Sequence, residues 1–130
     1  MSTEENKAVV QRFIDAFHRR DAAAFRDLAA PDLAKVAIEE WMPMNDAIWS
    51  DQRLDITEMM AEGDIVWARM TSGGRHTGEW EGLPPTGKVS TGSGICFMRV
   101  SGGKVVEFDA IWDELERVKH LGGKIVPGGQ

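Results

Sequence analysis

Between Ala61 and Asp113 short apolar runs alternate with glycine- and proline-rich turns, and no other stretch restricts the fold as much. Ile65 to Met70, Gly94 to Val100 and Lys104 to Asp113 read as strands. Gly73-Gly74, Leu83-Pro84-Pro85-Thr86-Gly87 and Gly102-Gly103 punctuate them as hairpin turns do. Upstream, Arg53 to Met60 alternates apolar and polar residues and meets the tight turn Glu62-Gly63-Asp64, which predicts one more hairpin.

The N-terminal third has a different period. Val9, Val10, Phe13, Ile14 and Phe17 recur at helical spacing, so the chain opens with an amphipathic helix. Asp21 caps a second short helix, Ala22 to Leu28, that Pro31 ends. Leu33 to Trp41 reads as a strand, with Val36 and Ile38 opposite Ala37 and Glu39, and Met42 to Asp46 as a turn. Glu114 to Leu121 reads as a short helix stopped by Gly122-Gly123, and Lys124 to Gln130 as a frayed tail. Helices followed by antiparallel strands define an α+β class, and 130 residues make one domain, 1–130.

Composition excludes several functions. A net charge of -6 without a basic patch argues against nucleic acid. No apolar run is long enough to cross a bilayer, and the opening MSTEENK carries no secretory pattern, so a cytoplasmic location is expected. Cys96 is the only cysteine, in an apolar run where a buried thiol is expected. The three histidines lack metal-ligand spacing, and there is no nucleophile elbow and no phosphate loop; Gly92-Ser93-Gly94 lies inside a strand without a partner lysine. No metal and no cofactor is expected.

The candidate chemistry lies on the last strand. Glu107, Asp109 and Asp113 share one face with Val105 and Ile111, while Val106, Phe108, Ala110 and Trp112 occupy the other. Alternation alone buries the apolar face and wets the acids. A carboxylate facing an apolar pocket would instead become a stronger base. Asp109 and Asp113, roughly 13 Å apart along a strand, could touch opposite ends of one ligand but not share a proton.

The order AEGDIVWARM, GRHTGEWEGLPPTGK, FMRVSGGKVVEF and LGG resembles the SnoaL-like polyketide cyclases of the nuclear transport factor 2-like superfamily, most clearly over Leu54 to Gly122. The resemblance implies a cone-shaped, strongly curved antiparallel sheet with N-terminal helices packed on its concave face, enclosing a pocket. It implies a cofactor-independent acid-base enzyme acting on a small hydrophobic carbonyl compound by aldol closure, isomerisation or dehydration. Asp113 matches the family's general base and His76 a pocket histidine, with Asp109 orienting substrate. Phe13, Phe17, Trp41, Trp67, Trp80 and Arg99 are the expected lining. The apolar residues on the outside of the sheet would then pack against a second subunit in a homodimer. Two departures stand out: Asp109 replaces a tryptophan that many relatives carry, and Pro31 to Arg53 is short, without a clear third helix. A non-catalytic ligand-binding or dimerisation domain is the alternative. A limonene epoxide hydrolase-like triad would have to use Asp109, Glu79 and Arg75, whose order matches poorly.

Overall fold

Helix α1, Thr3–Arg19, starts at a capping box: the Ser2 hydroxyl accepts from the Glu5 N–H, and the Glu5 carboxylate accepts from the Ser2 N–H. It buries Val9, Val10, Phe13 and Ile14, the stripe that the helical spacing defines. The structure is a computed structural model that describes residues 2–128; Met1, Gly129 and Gln130 of the expected domain and tail lie outside the described residues. Arg20 ends α1 in the left-handed conformation (φ 58°), and Asp21 caps α2, Ala22–Leu28, by accepting from the Ala24 N–H.

The strand expected over Leu33 to Trp41 is instead helical, and so is the expected turn that follows. Helix α3 spans Pro31–Val36, a π-helical turn spans Ala37–Trp41, and α4 spans Met42–Ile48. Pro43 explains the π turn: it has no N–H, and its ring would crowd the carbonyl four residues back. Widening the helix removes the conflict, and the Met42 N–H reaches the carbonyl of Ala37. Helical spacing was present in Leu33, Ala34, Ala37, Ile38 and Trp41, all packed in or against the core, while Val36 and Ile38 mimicked a strand.

Four antiparallel strands follow in sheet order β1-β2-β3-β4: β1 Trp49–Glu62, β2 Ile65–His76, β3 Val89–Ser101 and β4 Lys104–Trp112. Gly73-Gly74 is not a turn but part of β2, paired with Thr91 and Ser90. Register shifts near Ser50/Arg53 and Ile56/Glu58 mark bulges that curve β1. A further shift at Arg99/Val100 buries Val105 where simple alternation would bury Val106. The concave face of the sheet carries Val66, Ala68, Met70, Cys96, Met98 and Val100 against α1. Burial, reinforced by the negative charge of Asp109, pushes the Cys96 thiol up to about 12, so it is an inert core residue. Helix α5, Glu114–His120, closes the chain over β3. No helix among the described residues is long and apolar enough to cross a membrane.

Candidate functional site

A cavity of about 220 Å³ lies between the concave face and the helices. Phe13, Ile14 and Phe17 of α1 and Phe25 of α2 form one wall, and Leu54, Met70 and Phe108 form the sheet side. Trp41 stacks on Phe108 at 5.4 Å between ring centroids, and Trp112 and Met44 flank the exit. Through Met44, Asn45, Trp112 and Arg117 the cavity continues into an open trough of about 940 Å³. Trp49, Trp80, Leu83, Glu114 and the tail residues Ile125 and Val126 line that trough.

The polar groups of the cavity are few and held in place. Asn45, Gln52, Ser72 and Arg117, with the indole N–H groups of Trp41 and Trp112, are its hydrogen-bonding side chains. Arg20 donates to Asp46 (2.8 Å) and to the Gln52 carbonyl (2.9 Å), which turns the Gln52 amide nitrogen onto Asn45 (3.0 Å). Asn45 in turn donates to the Trp41 carbonyl (2.8 Å). The Arg20 guanidinium also covers the Phe17 ring at 4.8 Å, so it ties the end of α1 to α4 across one rim of the cavity.

Among the described residues, Arg117 is the only charged one in the cavity wall. Its side chain is 14% exposed and donates to the Ser72 hydroxyl at 2.8 Å. Three tryptophan rings surround the guanidinium: Trp49 at 5.5 Å, Trp80 at 5.8 Å and Trp112 at 5.8 Å. Desolvation lowers its pKa; the carboxylate of Glu114, 3.6 Å away and half exposed at the mouth, acts in the opposite direction. The sheet makes room for this arrangement with glycine. A Cβ at Gly92 would lie 3.1 Å from Arg117 Nη2, and one at Gly94 would lie 2.5 Å from the Trp112 ring. The Gly92-Ser93-Gly94 run in β3 therefore forms the floor under Arg117 and Trp112.

The expected site residues separate into three groups. Phe13, Phe17 and Trp41 line the cavity, and Trp80 lines the trough. His76 is fully buried at the end of β2, beside Trp49 at 5.4 Å, and does not line the cavity. Its Nδ1 accepts from the Thr86 N–H (3.2 Å) and lies 3.1 Å from the Thr86 hydroxyl, while the Gly87 N–H donates to the His76 carbonyl. Nδ1 is an acceptor, so the neutral ring carries its proton on Nε2, which has no partner among the described residues. His76 and the Leu83–Gly87 turn thus pin each other, and with them the loop that carries Trp80.

Asp109, Trp67 and Arg99 lie on the outside of the sheet, away from the cavity. Trp67 packs edge-on against Phe97, and Arg99 bonds Glu107 (2.9 Å) and Asp64 (3.0 Å). Asp113 follows Trp112 but is exposed, and its carboxylate caps α5 by accepting from the Glu116 N–H at 3.1 Å. Arg75 and Glu79 are exposed as well, and the cavity wall contains neither. Among the described residues no cluster of three or more His, Cys, Asp or Glu side chains has metal-holding geometry.

Sequence reading missed Glu114 at the trough and, in the cavity wall itself, Arg117. In α5 it stands among Glu114, Glu116 and Lys119 and reads as one more surface charge. Its only signals were non-local: glycines in a strand that has no backbone need for them, and an excess of tryptophan.

Comparison with known proteins agrees with this architecture. AclR from Streptomyces galilaeus is similar over 98% of this chain and 91% of its own, at 26% identity and a TM-score of 0.81. IdmH from Streptomyces antibioticus matches over 90% of this chain and 98% of its own, at 22% identity and a TM-score of 0.79. An NTF2-like protein from Burkholderia thailandensis shares the fold at a TM-score of 0.72, 19% identity and coverage of 93% and 98%. No curated protein matches the sequence. The family model described as SnoaL-like polyketide cyclase matches residues 7–121, almost the whole chain. With its helices on the concave face of an open four-stranded sheet, the chain belongs to the SnoaL-like polyketide cyclase family.

Proposed function

We propose that this protein is a cofactor-independent acid-base enzyme that binds a small hydrophobic carbonyl compound in the cavity and removes a proton beside the carbonyl. The observation that carries the proposal is the apolar cavity ending at one cation and one carboxylate, Arg117 and Glu114, 3.6 Å apart. A pocket of this kind, apolar with a few convergent polar groups, is where ligands bind. At about 220 Å³ the cavity is smaller than the roughly 300–1,000 Å³ of drug-sized sites, so a substrate larger than a bicyclic ring extends into the trough.

The base in this proposal is Glu114, not Asp113. Glu114 lines the trough beside Arg117, whereas Asp113 holds the N-terminus of the helix that carries both. Proton transfer by a positioned carboxylate contributes about a hundredfold or more. The wild-type protein should therefore accelerate deuterium uptake at the α-carbon of 2-tetralone in D₂O, followed by proton NMR. Glu114→Gln should remove that acceleration and Asp113→Asn should keep it, because asparagine caps a helix as well as aspartate does. Asp113→Ala should cost about 1 kcal/mol of stability. Loss with Asp113→Asn but not Glu114→Gln would make Asp113 the base. A wild-type protein that binds the ketone without exchanging it would be a ligand-binding domain.

A homodimer through the outside of the sheet is the second element of the proposal. Trp67, Ile95 and Ile111 are 46%, 47% and 77% exposed there and are contiguous, since Ile95 pairs with Ile111 and Trp67 with Phe97. Exposed apolar surface of this kind is a feature of interfaces. Around it, Arg69 and Glu58 (3.5 Å) and Arg99 with Asp64 and Glu107 provide charges of both signs for a self-complementary contact. Light scattering should give the mass of a dimer for the wild type and of a monomer for Ile111→Asp. A monomeric wild type would contradict it.

A further inference from the structure

We infer that Arg117 is a further substrate-binding and catalytic residue, and that the cavity prefers planar conjugated oxyanions, the charge state of an enolate, over neutral compounds of the same shape. The inference rests on the proposed carbonyl chemistry and adds to it the atom that receives the developing charge. Of the five N–H donors of the guanidinium, one is hydrogen-bonded among the described residues, to Ser72. Glu114 lies at 3.6 Å, beyond good hydrogen-bonding distance, and is itself half exposed. Arg117 lines both the cavity and the trough, with Nε and Nη2 on the side of Gly92.

Three features argue that this cation is held for a ligand. A structural arginine at this depth would be expected to be paired and bonded through most of its donors; Arg117 has one bond, to a neutral hydroxyl. Its surroundings fix its plane: the three tryptophan rings leave the guanidinium little freedom, and Gly92 admits it against the sheet. Finally, among the described residues no carboxylate lines the cavity itself, and Glu114, the acid beside Arg117, lies in the trough, so an anion bound in the cavity would meet a positive charge in its wall and no negative one. A planar fork opposite a planar oxyanion is the geometry in which arginine binds carboxylate or enolate oxygens most strongly. Fixed donors aimed at a charge that appears only as the proton leaves stabilise the transition state more than the substrate.

The step balances within the proposed chemistry. The C–H bond beside the carbonyl breaks, its proton moves to the Glu114 carboxylate, and its electron pair becomes the enolate C=C bond. The carbonyl π pair moves onto oxygen, where Arg117 donates. No oxidant or second reactant is needed.

The test compares anionic 2-naphthoate with neutral 2-naphthamide, nearly equal in shape, by titration calorimetry at neutral pH on the full chain. Charge-assisted hydrogen bonds predict naphthoate to bind about tenfold to a hundredfold more tightly. Arg117→Met should abolish that preference while naphthamide still binds, and Arg117→Lys should restore only part of it, since an ammonium lacks the planar fork. Circular dichroism checks that the variants fold. Equal binding of the two probes to wild type, or a preference that survives Arg117→Met, would overturn the inference and leave the cavity as a ligand site. Failure of both probes to bind the wild type would overturn the inference and the carbonyl-binding proposal together.

Discussion

Gly94→Ala should destabilise the protein by about 3 kcal/mol, the upper range for overpacking a filled interior. The added methyl would sit 2.5 Å from the Trp112 ring and 2.8 Å from the carbonyl oxygen of Ile111. The ring could swing away, but only by leaving the cavity wall and the cage around Arg117. The Ile111 carbonyl belongs to β4, paired directly with β3, and cannot retreat without breaking the ladder. The substitution should therefore lower the urea midpoint and weaken naphthoate binding together. Gly73→Ala is the control: its Cβ would make an ordinary contact of 3.5 Å with Thr91, and its effect should stay within about 0.5 kcal/mol. A Gly94→Ala protein of unchanged stability would mean that β3 needs no glycine there and that the floor of the site is not built as described.

Phe13→Ala should cost about 3–5 kcal/mol, a large part of the 5–15 kcal/mol that keeps a domain folded. Phe13 is fully buried, with ring centroids 4.5 Å from Phe25 and 5.7 Å from Phe108, so its loss opens a void where α1, α2 and β4 meet. The same ring lines the cavity. Core and ligand site are thus one packing problem here. A surviving Phe13→Ala protein should accept a probe one ring longer than naphthoate, such as 2-anthroate, better than wild type does. Urea unfolding measures the first effect and calorimetry the second. A cost below about 1 kcal/mol would show that the helices collapse into the space.

Local periodicity explains which parts of this fold could be read from the chain. Helix α1 and the three later strands are regular apart from the shift at Arg99/Val100, and each carries its own apolar face, as Val9 to Phe17 and Ile65 to Met70 show. The Leu33 to Trp41 segment misled because Val36 and Ile38 favour strands locally, whereas its conformation is set by Pro43 and by packing on the core. Gly74 looked like a turn residue because glycine usually marks one. Its role is clearance, since a Cβ there would lie 3.1 Å from the Trp49 side chain.

The site divided along the same line. Phe13, Phe17 and Trp41 belong to one apolar stripe and one apolar segment, were expected as lining from the family resemblance, and line the cavity. On β4 the alternation placed Glu107 and Asp109 outside and Phe108 and Trp112 inside, which is where they are. Arg117 was illegible because its importance lies entirely in partners distant in sequence: Ser72, Trp49, Trp80 and the glycines of β3. The HTG and GLPPTG motifs were conspicuous for a structural reason, the His76–Thr86 contact that holds the Trp80 loop against the mouth.

The most direct test of the central claim is a crystal structure of the protein with 2-naphthoate. The ring system should lie between Phe13, Trp41 and Phe108, with the carboxylate oxygens within hydrogen-bonding distance of the Arg117 guanidinium. A carboxylate bound elsewhere, with Arg117 still held only by Ser72 and Glu114, would contradict it.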